Sequence, residues 1–405
     1  MTDNGFAFSA FRFESSRLMS SASETPRLKV LHAFKVYLPD IEGGIPTVIR
    51  QLCAGLRERC HSLVLATRRG GTPVRITIEG TKVQRSLSLG DVMSMPIAPI
   101  YPFWFWLLAC KADLVAFHAP FPLIDAIIWL WFPRRPALVV HWHSEIVGQK
   151  KVLPLVRPFI LNTLRRADRV VVSSQKMIDA SDFLRPIAAK CCVVPFGVDL
   201  SVWTGRSADE RARIAELREQ HPRLVVSVGR LVPYKGYDVL IEAMAQVDGI
   251  CMIIGGGPLQ AKLAAQIEGL GLQNRVILAG RLPFAELKAL LHASGLLVMS
   301  SVTAAETFGI SQIEAMACGC AVVNTDLPTG VPWVARDGLE GLTVPPSDPE
   351  ALARAISTLL DDPLQRARFG AAALARAEDM FTEARFMQAS GDIYEDVVTS
   401  KSGGH

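Results

Sequence analysis

Short apolar runs alternate with helically periodic stretches along most of this chain, and that alternation restricts the possible folds more than any other feature. The runs that read as strands cover residues 28–34, 61–67, 113–118, 137–142, 169–173, 191–195, 224–228, 250–254, 275–279, 295–300, 321–324 and 342–344. Strands joined by helices pair in parallel, because each crossover helix returns the chain to the end of the sheet at which the previous strand began. The chain is therefore predicted to be an α/β protein.

The alternation occurs in two series, which predicts two doubly wound, Rossmann-like domains facing each other across a cleft. We assign residues 27–200 to the first domain and 201–383 to the second, with a terminal helix and tail in 384–405. The serine-rich stretch 1–26 lacks the cationic start and apolar run of a secretory signal, so a disordered tail is predicted there. Ligands of open α/β sheets bind at the carboxyl ends of strands, so functional residues are expected in the loops that follow strands.

The composition indicates an ordered globular protein whose charge is unevenly distributed. Residues 1–200 contain 25 Lys and Arg against 15 Asp and Glu, whereas residues 201–405 contain 18 against 24. The basic half suggests an anionic partner, and because no nucleic-acid-binding motif is present, an anionic membrane surface fits better. The eight cysteines are scattered without zinc spacing, which is typical of buried thiols in a cytosolic protein.

Two aromatic segments of the basic half strengthen the case for a membrane surface. YPFWFWLL at 101–108 and IIWLWF at 127–132 are followed by cations, among them Arg134 and Arg135. Apolar helix faces flanked by cations suit peripheral docking on the inner leaflet of the plasma membrane. The alternative is that these rings fill the core of the first domain. We favour that alternative for 127–132 and leave both open for 101–108.

The densest group of candidate functional residues lies between 300 and 321. Glu306 and Glu314 have seven residues between them, including Phe308, Gly309 and Ile310. The segment leaves a predicted strand as a loop and becomes helical near residue 308, so Gly309 lies beside a helix N-terminus that suits a phosphate. One carboxylate before this point and one after it could hold the two sugars on either side of a diphosphate.

Further candidates lie in other loops that follow predicted strands. They are Gly43 and Gly44, His118, His143, the pair Arg230 and Lys235, and the glycine loop 255–257. Glycine permits close backbone approach, and imidazole can hydrogen-bond a sugar hydroxyl, whereas His141 is expected to point into the sheet. There is no D-x-D motif and no metal-ligand cluster, which predicts a site without a metal or another cofactor.

Several of these motifs resemble those of the retaining glycosyltransferases of family 4. The resemblance extends from about residue 28 to about residue 398 and is carried by E-TFGISQI-E, GRLVPYKG at 229–236 and GGGPL at 255–259. The segments LPDIEGGIPTVIRQL, HWHSEIVGQKKVL and LPTGVPWVARDGLEGLTVPP are most similar to bacterial enzymes of O-antigen and exopolysaccharide synthesis. The resemblance implies the two-domain GT-B fold, with the terminal helix crossing back to the first domain.

The resemblance also implies roles for the candidate residues. Arg230 and Lys235 would stabilise the departing diphosphate in place of a metal, Glu306 would hold the donor sugar, and Glu314 the ribose. Gly44, Phe308, Gly309 and Ile310 would complete the donor site. Gly43, Gly44, His118 and His143 would face the acceptor, with His143 near the reaction centre.

The function implied is transfer of a hexose, with mannose from GDP-mannose as the first choice, to a lipid-linked glycan. The resemblance implies front-face displacement, and the sequence itself shows only that no residue stands out as a nucleophile for a covalent route. Two alternatives stay open. One is another GT-B enzyme, such as a transferase using a UDP-sugar, a nucleotide-sugar epimerase or a glucan synthase. The other is a non-catalytic scaffold, against which the intact set of Arg230, Lys235, Glu306 and Glu314 argues.

Overall fold

The structure, a computed structural model, describes residues 27–41, 43–70, 72–92, 95–145 and 153–403. These residues form two α/β domains, each built on a sheet of mainly parallel strands, as the alternating pattern predicts. The tail predicted at 1–26 lies outside the described residues.

The first domain contains the longer sheet. Its elements are β1 (Leu28–Ala33), α1 (Gly44–Gly55), β2 (Cys60–Arg68), β3 (Arg75–Ile78), β4 (Thr81–Leu87), β5 (Asp91–Val92), β6 (Met95–Pro96), α2 (Tyr101–Ala109), β7 (Leu114–Ala119), α3 (Pro122–Trp131), β8 (Ala137–Trp142), α4 (Leu153–Arg166), β9 (Arg169–Val172), α5 (Gln175–Ala180) and β10 (Cys191–Val193). The strand order is β10-β9-β8-β7-β1-β2-β4-β3, and β5 and β6 form a separate ribbon. All pairs in the large sheet are parallel except β3 with β4.

The second domain has a fully parallel sheet. Its elements are α6 (Leu200–Thr204), α7 (Ala208–Gln220), β11 (Leu224–Val228), α8 (Tyr237–Met244), β12 (Ile250–Ile254), α9 (Gln260–Gly269), β13 (Val276–Gly280), α10 (Phe284–Ser294), β14 (Leu296–Val298), α11 (Ile310–Ala317), β15 (Ala321–Thr325), α12 (Val331–Val334), β16 (Gly341–Val344), α13 (Pro349–Asp361) and α14 (Pro363–Met380), followed by α15 (Glu383–Ser402). The order β13-β12-β11-β14-β15-β16 is that of a doubly wound nucleotide-binding fold.

The hairpin of β3 and β4 and the ribbon of β5 and β6 are the main elements that the sequence pattern does not predict. Residues alternate between more and less exposed along β3, and β4 buries polar side chains such as Gln84 and Arg85. These strands therefore lack the apolar run that marks the others. The first sheet ends in an antiparallel edge rather than a purely parallel one.

The helices cover both faces of the first sheet. One face packs against α2, α3 and α4, and the other packs against α1 and α15. The terminal helix α15 thus lies on the first domain, where Arg59 forms ion pairs of 2.7 Å with both Asp392 and Glu395. Tyr394 of the same helix is completely buried.

The chain passes between the domains at two adjacent points. The segment after β10 and the segment before α15 run side by side, because Val198 N–H donates to Phe381 O at 2.9 Å and Glu383 N–H donates to Val198 O at 3.0 Å. A Cβ atom on Gly197 would lie 2.2 Å from Thr382 O, so only glycine permits this approach.

Candidate active site

The sheet order of the second domain brings two loops to one crevice. In a doubly wound sheet the crevice opens beyond the carboxyl ends of the two strands at which the order reverses, here β11 and β14. β11 leads to Arg230 and then to Lys235, which ends the short 3-10 turn Pro233–Lys235. β14 leads to Glu306 and then to α11, which carries Glu314. The topology therefore gathers the four charged residues that the sequence selects.

Lys235 and Glu306 form an ion pair inside this crevice. Lys235 Nζ lies 2.6 Å from Glu306 Oε2, and the side chains are only 12% and 10% exposed. The Ser301 hydroxyl donates to the same carboxylate oxygen at 3.1 Å. Gly236 has a φ of 64°, and a Cβ there would lie 2.1 Å from Ser300 O, so glycine is needed to bring the two loops together.

The N-terminus of α11 is open toward an anion. Gly309 precedes the helix with a φ of 76°, no side chain caps the helix, and its first turn has no acidic residue. The side chain of Ile310 packs on the domain core, so this residue offers its backbone N–H rather than its side chain. Free N–H groups and the positive end of the helix dipole make this position suitable for a phosphate.

Glu314 lies in the second turn of α11 and is partly buried. Desolvation raises the pKa of its carboxyl to about 7, and the nearby Lys235 ammonium opposes that rise. The group therefore changes charge near neutral pH. In its ionised form it has two acceptor oxygens, which match the geometry of a vicinal diol.

Arg230 is the exposed cation of the group. Its side chain makes no ion pair within the described part of the chain, whereas Lys235 is engaged by Glu306. The glycine loop at 255–257 supports the backbone around Arg230: Gly229 N–H donates to Ile254 O at 2.9 Å, and Leu231 N–H donates to Gly256 O at 3.1 Å. The two glycine-containing loops are therefore one hydrogen-bonded unit.

Phe308 is buried rather than exposed to the crevice. Its ring is 1% exposed and lies edge-on to Phe196 at 5.3 Å and to Phe381 at 5.9 Å. Phe196 belongs to the segment that connects the domains. Phe308 therefore anchors the donor-side loop to that connection, and any contact of residue 308 with a ligand falls to its backbone.

The first domain presents Gly43 at the end of the β1–α1 loop and Gly44 at the start of α1. Gly43 is exposed with an extended backbone, and a Cβ at either residue would meet nothing within 4 Å among the described residues. The absence of side chains at these two residues leaves open space beside the loop. Gly43 has an extended backbone, so a left-handed conformation does not explain the glycine at this position. Asp40 ties this loop to the buried Arg85 of β4 through an ion pair, and Arg85 also donates to Pro73 O at 3.3 Å.

The histidines of the first domain lie at the carboxyl end of its sheet. His143 follows β8, is 5% exposed, and stacks on Phe196 with ring centroids 5.9 Å apart. His118 is completely buried, and its Nδ1 lies 2.8 Å from His143 Nε2. His118 thus does not line the cleft in this structure, which favours an indirect role over contact with an acceptor. His141 is a buried residue with a hydrogen-bond partner, as expected, but it faces α15 and bonds the Tyr394 hydroxyl of that helix at 2.7 Å.

Sequence reasoning missed several supporting residues. Ser301, Phe196, Arg85 and His32 all contact predicted site residues or their loops. Only Phe196 carried a usable signal, because it follows a predicted strand in PFGVD. Among the described residues, no three His, Cys, Asp or Glu side chains are grouped so that they could hold a metal ion.

Comparison with known proteins identifies the family. Residues 42–202 match the model for Glycosyltransferase Family 4, and residues 209–376 match that for Glycosyl transferases group 1. The D-rhamnosyltransferase WbpZ of Pseudomonas aeruginosa is 34% identical over 357 residues, which cover 88% of this chain and 92% of that protein. The chain belongs to glycosyltransferase family 4. This family 4 enzyme is also 29% identical to the O-antigen chain mannosyltransferase C of Escherichia coli over 381 residues, covering 93% and 100% of the two chains.

Solved structures confirm the fold of this family 4 glycosyltransferase. Sucrose-phosphate synthase from Thermosynechococcus elongatus superposes with a TM-score of 0.78 at 22% identity, over 92% of this chain and 100% of that one. HepE from Anabaena, solved with UDP and glucose, gives a TM-score of 0.74 at 23% identity, over 91% and 100%. The two facing domains therefore have the predicted GT-B architecture.

Proposed function

We propose that this glycosyltransferase moves a hexose from a nucleoside diphosphate sugar to a lipid-linked glycan during synthesis of a bacterial surface polysaccharide, with retention at the anomeric carbon. The observation that carries the proposal is the Lys235–Glu306 ion pair beside the open N-terminus of α11. Cation, carboxylate and free N–H groups meet there, as a sugar attached to a diphosphate requires. Glu314, in the second turn of the helix, supplies a carboxylate for the ribose.

The proposed reaction needs stabilisation of the leaving group rather than a protein nucleophile. The bond between the anomeric carbon and the diphosphate oxygen breaks as the acceptor oxygen approaches from the same face. The diphosphate keeps the electron pair and takes the proton of the acceptor hydroxyl. Arg230, Lys235 and the N–H groups of α11 stabilise the charge that grows on the diphosphate, and His143 contacts the reacting sugars from the first domain.

Donor binding exchanges the partners of Lys235 and Glu306. The ammonium turns toward a phosphate oxygen, and the carboxylate is then available for hydroxyls of the donor sugar. Because both side chains are nearly buried, this exchange replaces one charge-assisted contact with others instead of exposing either charge.

GDP-mannose is the proposed donor. The support comes from the relatives named for a mannosyl and a D-rhamnosyl transfer, because D-rhamnose is the 6-deoxy form of D-mannose. Both sugars have the same configuration at C2, C3 and C4, where Glu306 would bind. Presence of UDP in the distant HepE structure favours a UDP-sugar as the second candidate.

An exposed aromatic surface on the first domain supports the proposal of a lipid-linked acceptor. Phe103 and Trp106 of α2 and Trp129, Leu130 and Trp131 of α3 are each 46–61% exposed, and we call this surface the aromatic flank. The preference for core packing at 127–132 is thus wrong for Trp129, Leu130 and Trp131, which are exposed. It holds for Ile127 and Ile128, which are buried, and in part for Phe132, which is partly buried and packs on the core. The exposed cations Arg134 and Arg135 follow directly.

The aromatic flank and its cations fit an interfacial surface rather than a spanning one. In the described part of the chain, no helix combines the length and the apolar character needed to cross a bilayer. Lys150 and Lys151, which also contribute to the basic half, lie outside the described residues. We propose peripheral docking on the inner leaflet, with the cytoplasm supplying the nucleotide sugar.

A donor panel tests the proposed function. The purified protein is incubated with GDP-mannose, GDP-D-rhamnose, UDP-glucose and UDP-N-acetylglucosamine, and release of the nucleotide is measured with and without lipid-linked saccharides. We expect turnover with a GDP-sugar of manno configuration that increases with acceptor. Turnover of UDP-sugars alone would replace the donor assignment, and nucleotide binding without turnover of any donor would favour a scaffold.

A further inference from the structure

Four buried imidazoles form a continuous group at the carboxyl end of the first sheet. His32 of β1, His118 of β7 and His141 of β8 occupy the alternate positions that face α1 and α15, and His143 continues this face beyond β8. None is more than 5% exposed. Buried histidines are individually common, but three neighbouring strands here place theirs in mutual contact.

Three of these rings form a hydrogen-bonded chain. His32 Nδ1 lies 3.1 Å from His118 Nε2, and His118 Nδ1 lies 2.8 Å from His143 Nε2. His141 stacks on His118 at 4.7 Å but is outside the chain, because its own Nε2 bonds Tyr394. The chain therefore ends at His143 on one side and at His32 on the other.

Burial keeps the rings neutral. Desolvation lowers the pKa of His32 and of His143 to about 3, and it lowers the pKa of His118 well below its ordinary value. A neutral imidazole has one N–H donor and one acceptor nitrogen. His118 must donate through one nitrogen and accept through the other, so both hydrogen bonds run in the same direction.

The unpartnered end of the chain decides that direction. His32 Nε2 is buried and has no hydrogen-bond partner within the described residues. If His143 donates to His118 and His118 donates to His32, the proton of His32 is on Nε2, where a buried N–H has no acceptor. Buried N–H groups without partners are rarer than incompletely used acceptors. If instead His32 donates to His118 and His118 donates to His143, only a lone pair remains on His32 Nε2. His143 then accepts at Nε2 and carries its proton on Nδ1.

We propose that His32 and His118 are positioning residues that hold His143 as the Nδ1–H tautomer, so that His143 offers an N–H donor to a substrate oxygen. This inference rests on the proposed function for the placement of His143 beside the reacting sugars. The ring is fixed on its other side by Phe196, which contacts Phe308 of the donor loop. The site therefore favours a substrate oxygen that accepts a hydrogen bond from His143, and it disfavours a group that can only donate one.

Paired substitutions at His118 test the inference. Asparagine places its amide near the position of Nδ1 and can still donate to His143, whereas glutamine reaches toward the position of Nε2 and loses His143. We expect H118N to keep kcat within about threefold of the natural protein and H118Q to lower it about tenfold, with little change in KM for the donor. H141Q, which keeps the amide close to Tyr394, is the matched control and should retain kcat.

A spectroscopic readout separates the inference from the proposed function. Nitrogen-15 spectra of histidine-labelled protein distinguish a protonated from an unprotonated ring nitrogen, and H143N identifies the signals of His143. We expect Nδ1–H in the natural protein and in H118N, and a mixture of tautomers in H118Q. An Nε2–H tautomer in the natural protein, or equal kcat in H118N and H118Q, would overturn the inference. Absence of glycosyl transfer with the expected tautomer would instead count against the proposed function alone.

Discussion

Lys235 Nζ lies 2.6 Å from Glu306 Oε2, and this ion pair joins the loop after β11 to the loop after β14. Each residue is at once a candidate ligand for the donor and the partner that neutralises the other. The two roles predict different responses to substitution, because activity depends on the charges and stability depends on their balance.

The first prediction concerns this pair. Lys235→Ala and Glu306→Ala should each lower kcat by about 10²–10³, the cost of losing one contact to developing charge. Lys235→Ala should also destabilise the fold by about 3–5 kcal/mol, because Glu306 is left as a nearly buried unpaired charge. The double variant K235M/E306Q should unfold at higher urea concentration than Lys235→Ala.

The exposed pair of Arg50 and Glu79, 3.2 Å apart, serves as the control for that comparison. Arg50→Ala should change the free energy of unfolding by about 1 kcal/mol or less, because solvent screens the pair. Equal destabilisation by Arg50→Ala and Lys235→Ala would contradict the structural role of the buried pair.

The second prediction concerns Glu314 and pH. Because its pKa is about 7, affinity for GDP should rise from pH 6 to pH 8 as the carboxylate forms and accepts from the ribose hydroxyls. Isothermal titration calorimetry measures this change, and Glu314→Gln should remove that part of the pH dependence which does not belong to the nucleotide. Identical pH profiles for the two proteins would contradict the assigned role.

The same carboxyl should affect the unliganded protein with the opposite sign. Its folded-state pKa is raised, so its contribution to stability is fully present below its ordinary pKa of 4.5 and is lost as pH rises through about 7. Asp125 is also buried, and desolvation raises its pKa to about 7, so it contributes a similar loss of stability in both the natural protein and the Glu314→Gln variant. Urea unfolding at pH 5 and pH 8 should therefore show a smaller loss of stability for Glu314→Gln than for the natural protein.

The third prediction is that chelation does not stop turnover. Arg230, Lys235 and the N-terminus of α11 supply the positive charge that a divalent ion would otherwise bring to the diphosphate. Initial rates should agree in EDTA and in magnesium. Loss of activity in EDTA with recovery in magnesium or manganese would reject the metal-free mechanism.

The fourth prediction concerns the aromatic flank. The protein should float with anionic liposomes at low salt, and binding should weaken as salt screens Arg134 and Arg135. Trp106→Ser combined with Trp131→Ser should abolish flotation, because both rings are exposed. Trp104 is unsuitable for this test because it packs partly buried against the core. Leu364→Ser, on an 84% exposed residue of the second domain, should leave flotation unchanged.

Sequence pattern alone predicted the strands that bury apolar residues on both faces. β8, β11 and β12 have the predicted bounds, because their apolar runs end where the chain meets polar loops. The hairpin of β3 and β4 was missed, since buried Gln84 and Arg85 interrupt its apolar pattern. The buried charge of Arg85 is balanced by Asp40, which lies far away along the chain and pairs with it.

In the candidate site, too, some features could be predicted from the sequence and others could not. The positions of Arg230, Lys235, Glu306 and Glu314 relative to strand ends follow from sequence, because each belongs to a loop or helix directly after a strand. The Lys235–Glu306 contact and the histidine chain do not follow, since they depend on which strands are neighbours. His32, His118 and His143 meet only because β1, β7 and β8 are adjacent in the sheet.

The paired segments around Gly197 and Thr382 restrict how the two domains can move. Val198 bonds both Phe381 and Glu383, so the two passages of the chain behave as one narrow ribbon rather than as two independent tethers. A single ribbon permits rotation about its own line and resists sliding or separation of the domains. The width of the cleft then depends mainly on one angle, the rotation of one domain relative to the other about this ribbon. Phe196 lies next to Gly197 and contacts both His143 and Phe308, so a change in that angle would alter its packing.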